Sequence, residues 1–300
     1  MKLLTNEARM IIYNPKEWFK AVFYIHKSDS FRKLLPFIIL MAVYSAGIAF
    51  FEIEYLKLNE KSWVKEITTV HSLLGFVLSM LLVFRTNTAY DRWWEGRKQW
   101  GGLTNISRNF ALKLNAFLDE DDHENRNYFI KGISLYAKTL FSFLRSDYST
   151  FMIDQVKYHE MDLKSKHVPN QVANALNKRV NDLYKDGKLT GDQLLILSRE
   201  MSEFTNACGA CERIKNTPIP FSYSSFIKKF IVLYVITLPV GLVFSMGYFV
   251  AIAVPFIFYV LASLELIAEA IEQPFGTDID DLPIEQITMN IEKHVTEILK

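Results

Sequence analysis

The chain has 300 residues, half of them hydrophobic and 14% aromatic, with a net charge of +1. A balance so close to neutral gives no electrostatic footing for a nucleic-acid partner. Mean hydropathy is positive, +0.09, although charged residues make up 22%, so the apolar residues must be gathered into blocks.

In chain order, residues 1–33 mix charged and aromatic side chains without an apolar core followed by small residues, and no cleavable signal peptide is expected. The first apolar block, Leu34 to Phe51, is free of charge over about 18 residues, nearly enough to span a bilayer. A second, Val70 to Phe84, runs about 15 residues and stops at Arg85. From Phe230 to Leu264 about 35 residues carry no charge, more than one crossing needs at 1.5 Å per residue. That block must fold back, and Ser245-Met246-Gly247 is the breaker nearest its middle.

The expected fold class is therefore an all-α membrane protein with four transmembrane helices. Its segments are a cytoplasmic stretch (1–33), a first helix pair (34–84), a helical cytoplasmic domain (85–229), a second pair (230–264) and a cytoplasmic tail (265–300). Lysines and arginines orient the spans. Lys20, Lys27, Arg32 and Lys33 precede the first, Arg85, Arg92, Arg97 and Lys98 follow the second, and Lys228 and Lys229 precede the third, whereas Lys57, Lys61 and Lys65 are diluted by glutamates. Both termini are placed in the cytoplasm. Between about Asp147 and Val168 the polar sequence predicts a loop.

Three groups of side chains could carry function. Phe76, Met80 and Phe84 recur every fourth residue and share a helix face, with Gly75 and Ser79 beside them. Such a stripe serves either helix packing or, when copies surround an axis, a constriction that gates by dewetting. Glu265, Glu269 and Glu272, followed by a Pro/Gly turn with Asp278, Asp280 and Asp281, offer oxygens to a hard cation or form a solvated acidic loop. Cys208 and Cys211, the only cysteines, have no second pair and no histidine near them in sequence, so they are read as small packed residues and not as zinc ligands. Signature loops of nucleotide-binding, hydrolytic and metalloprotease enzymes are missing, and an enzyme is not expected.

Phe84-Arg-Thr-Asn-Thr-Ala-Tyr-Asp-Arg-Trp-Trp-Glu-Gly-Arg-Lys-Gln-Trp-Gly101 closely resembles the stretch after the second span of bestrophins. Cys211-Glu-Arg-Ile-Lys-Asn-Thr-Pro-Ile-Pro-Phe-Ser-Tyr223 looks like the bacterial branch's approach to its third span, and Pro274-Phe-Gly-Thr-Asp-Ile-Asp-Asp-Leu-Pro283 like its acidic turn. The resemblance implies a homopentameric ion channel of the bacterial inner membrane, passing monovalent ions through a hydrophobic neck formed by Phe76, Met80 and Phe84. Met80 departs from the branched or aromatic residue usual there. It further implies a cytoplasmic aperture, placed near Asp192, where a ring of carboxylates would favour cations over chloride. In animal relatives the acidic turn clasps calcium. Asp278 and Asp281 match its acidic positions, but Ala270 stands where a glutamine ligand would be and Thr277 breaks the acidic run, and no cofactor is required. The alternative is a membrane-anchored, non-conducting binding or signalling module.

Overall fold

The computed structural model describes residues 29–57, 67–145 and 167–300, and within them regular structure is helical. Eight α-helices follow one another: α1 (Asp29–Phe50), α2 (Ile67–Phe117), α3 (His123–Arg145), α4 (Val168–Lys185), α5 (Gly191–Asn216), α6 (Phe221–Met246), α7 (Val250–Glu272) and α8 (Ile284–Leu299). A π-helical turn, Phe51–Tyr55, extends α1, and a 3-10 turn, Gly247–Phe249, separates α6 from α7. Residues 1–28, Lys61 and Lys65, and the loop expected over 147–166 lie outside the described residues.

The described residues divide into two units. The first comprises 29–57, 67–91 and Ile219–Glu272. Three stretches here or starting here are long and apolar enough to cross a membrane, namely Ser30–Tyr55, Ile67–Phe117 and Phe221–Glu272. The last is a hairpin: Gly247 takes φ 54°, a left-handed conformation open to glycine, and α7 packs back on α6. α7 also packs on α1. Pro36, Pro239 and Pro255 lie inside these helices, where each removes one backbone donor. The core of this unit is aliphatic, with Leu78, Leu82, Ile227, Val235, Val250 and Val254 all buried.

The second unit comprises Arg92–Pro218 without 146–166, together with Gln273–Lys300. Its core resembles that of a water-soluble helical bundle, with Trp100, Phe110, Phe129, Tyr136 and Phe204 fully buried. α3 packs on α4 and α8, and α4 on α5. Local sequence sets the helix starts. Thr190 and Gln193 form a reciprocal capping box at α5, and His167 caps α4 through its ring nitrogen, with Pro169 in the first turn.

Several boundaries differ from the sequence-based ones. α1 begins at Asp29, ahead of Leu34, and α6 begins at Phe221, ahead of Lys228 and Lys229, because charges at a span's end stop the apolar run without stopping the helix. α2 likewise continues through Arg85 to Phe117. Val168, the last residue of the expected loop, opens α4.

Candidate pore-lining helix

The part of α2 in the first unit has two sharply different faces. Leu78, Leu82, Arg85 and Ala89 are buried, and at about 100° per residue they share one side of the helix. Phe76, Met80 and Phe84 fall on the opposite side and are 70%, 50% and 51% exposed. Within its own chain the stripe is therefore not a packing surface. The same arithmetic puts Asn87 and Asp91 inside the roughly 80° sector that Phe76 and Phe84 delimit, and both are exposed. Asp91 carries the only exposed formal charge on residues 67–91, and the motif quoted above contained it unnoticed. The seven-residue step from Phe84, two helical turns on, is the signal that could have found it.

Polar contacts fix which way this face turns. Near the start of α2, His71 bridges the Ile67 carbonyl oxygen and Thr237 Oγ1 of α6, at 2.9 Å each. Thr68 Oγ1 donates to the Gly241 carbonyl oxygen at 3.2 Å, where a Cβ on Gly241 would lie 3.3 Å from the Thr68 backbone nitrogen. Gly75 meets Tyr234: a Cβ there would come within 2.7 Å of the hydroxyl. Ser79 Oγ donates to the Gly75 carbonyl oxygen at 2.8 Å and so closes on its own helix. Farther along, the buried Arg85 donates to Glu272 Oε2 at 2.7 Å and faces Glu265 at 3.4 Å. Glu272 also accepts from the Ile219 backbone N–H, and Glu269 pairs with Lys228 at 2.9 Å. Glu265 and Glu272 are thus counter-ions of Arg85, and Glu269 of Lys228.

The remaining sequence-based sites belong to the second unit. Asp192 is exposed in the first turn of α5, where a carboxylate complements the helix N-terminus. In the acidic turn, the buried Asp281 accepts the Asp278 backbone N–H at 2.7 Å through Oδ2, while Asp278 itself is exposed. Burial pushes the Asp281 carboxyl up to about 6, against the hydrogen bond from Asp278. Calcium takes six to eight oxygens. Among the described residues no three acidic side chains converge at this turn.

One cluster was invisible in the sequence. His167, Cys208 and Glu212 bring a ring nitrogen, a thiol and a carboxylate together, all within 4.8 Å of one another. A histidine remote from the cysteines in sequence lies beside Cys208, which corrects the expectation that no histidine is at hand. Cys211 is buried, and burial pushes its thiol up to about 12.

A model of the bacterial/fungal bestrophin family matches residues 10–297. A voltage-dependent anion channel-forming protein of Nostoc is 32% identical over 230 residues, which cover 75% of this chain and 75% of that protein. A protein of the same description from Ralstonia nicotianae is 29% identical over 300 residues, 97% of this chain and 94% of the relative. The crystal structure of a bacterial bestrophin homologue from Klebsiella pneumoniae superposes with a TM-score of 0.76 at 24% identity, over 88% of this chain and 98% of that one. That likeness speaks to the fold.

Proposed function

The chain belongs to the bacterial/fungal bestrophin family, a family of membrane channels and not of enzymes, and we propose that it forms an ion channel whose neck is built from Phe76, Met80 and Phe84. The carrying observation is that this stripe stands opposite the helix's own core and is at least half exposed on a helix apolar enough to cross a membrane. Copies arranged around an axis would turn it into three stacked apolar rings. Ions would cross such a neck partly dehydrated, and its wetting would control conduction.

The assembly is a homopentamer in the bacterial inner membrane, with α1, the first part of α2, α6 and α7 as four crossings and both termini in the cytoplasm. The flanking lysines and arginines support that orientation, and the α6–α7 hairpin supports an even number of crossings. The permeating species are small monovalent ions. Cation preference is supported by Asp91, the one exposed formal charge on residues 67–91 of α2, with Asp192 as a second carboxylate at the cytoplasmic aperture. The names of the relatives point the other way, to anions. Conduction needs no bound cofactor, calcium included.

Purified protein in planar bilayers under an asymmetric NaCl gradient tests this directly. A reversal potential on the sodium side, moved toward zero by Asp91→Asn or Asp192→Asn, fits the cation reading and identifies the acidic ring. A potential on the chloride side sinks it, and currents that respond to a calcium chelator contradict the cofactor-free reading.

A further inference from the structure

We propose that His167, Cys208 and Glu212 form a binding site for a thiophilic divalent cation, zinc foremost, that ties the start of α4 to α5. The site lies wholly in the second unit and is independent of the channel reading.

Cys208 and Glu212 stand one helical turn apart on α5, so their side chains leave the same face. His167 reaches that face from the N-cap of α4, and its Nε2 is 2.7 Å from Glu212 Oε1. A nitrogen, a sulfur and a carboxylate oxygen are the three donor types zinc accepts together, whereas calcium and magnesium take oxygen alone. Zinc bonds of about 2.0 to 2.3 Å put tetrahedral neighbours roughly 3.3 to 3.8 Å apart. The present separations, from 2.7 Å to at most 4.8 Å, bracket that spacing, so side-chain rotation suffices. Three protein ligands leave one position for water. The imidazole and the carboxylate keep 29% and 27% of their surface exposed, which gives an ion a path in, while Cys208 closes the inner side. The fully buried Tyr136 hydroxyl donates to the Phe204 carbonyl oxygen at 2.7 Å and also lies in hydrogen-bond reach of the Cys208 sulfur, so a thiolate there would gain its support only if that one proton swung from the carbonyl to the sulfur.

Binding displaces protons. Burial pushes the Cys208 thiol up to about 11, so the free site holds it protonated and the ion replaces that proton. At His167, Nδ1 now accepts the Asn170 backbone N–H at 3.2 Å. With an ion on Nε2 the neutral ring must carry its proton on Nδ1, and this helix cap is given up.

The experiment is a cobalt(II) titration of the full-length, detergent-purified, reduced and chelator-stripped protein. The expected result is one cobalt per chain, with a near-ultraviolet thiolate-to-metal charge-transfer band and the visible bands of four-coordination, both bleached by zinc. Apparent affinity should rise about tenfold per pH unit from roughly pH 6 to 8 as one proton is released. Cys208→Ser should abolish the charge-transfer band. His167→Asn, which keeps a capping oxygen, should weaken binding at least about tenfold, and Cys211→Ser should behave as wild type. Folded wild-type protein showing no such band in excess cobalt overturns the proposal, as does a band that survives Cys208→Ser or is lost in Cys211→Ser.

Discussion

Asp281 shows how one buried carboxyl can set the pH response of a turn. Its folded form keeps the proton up to about pH 6, against 3.8 for an ordinary aspartate. The folded state therefore binds more protons than the unfolded chain between those values, and stability falls as pH rises through that window. Asp281→Asn keeps an oxygen for the Asp278 N–H and removes the buried charge. The variant should be more stable than wild type at pH 7 by about 1–2 kcal/mol and gain almost nothing below pH 4, as thermal unfolding in detergent at both values would record. Gly241 makes a steric prediction of the same scale. Its missing Cβ would press on the Thr68 backbone, which cannot swing away, so Gly241→Ala should lower stability by about 1–3 kcal/mol in the same assay. Neither residue announced its role in the sequence: Asp281 was one of several acids, and Gly241 one small residue in a long apolar run.

Among the elements, α2 was the most legible and the most misjudged. The four-residue stripe of Phe76, Met80 and Phe84 was visible from periodicity alone, as was the hairpin near Met246. What the sequence hid was the helix's continuation, because Arg85 looks like the charged end of a span. Its guanidinium is instead buried against Glu265 and Glu272, partners nearly two hundred residues away that no local pattern reveals. Deleting one side of a buried pair strands the other. Arg85→Ala should thus cost about 3–5 kcal/mol and reduce the yield of folded protein in size-exclusion chromatography, while Lys228→Ala, which breaks an exposed pair, should change it by less than about 1 kcal/mol. His167, Cys208 and Glu212 were hidden for the same reason, since only the packing of α4 on α5 brings the histidine to the cysteine.

At the scale of the whole molecule, apolar blocks separated the bilayer-compatible part from the rest, and motif resemblance named the family that the matched relatives support. Exposure of the α2 stripe in a single chain makes sense if other copies cover or share it, and the ring it would form is the centre of the proposed function. Currents through purified wild-type protein and through the triple variant Phe76→Ala, Met80→Ala, Phe84→Ala, recorded in planar bilayers from assemblies of equal size, test that claim most directly. Removing three apolar rings should raise the open probability and unitary conductance severalfold, because a wider, more easily wetted neck no longer excludes ions. Equal conductance in the two proteins, or no current from correctly assembled wild type, would contradict it.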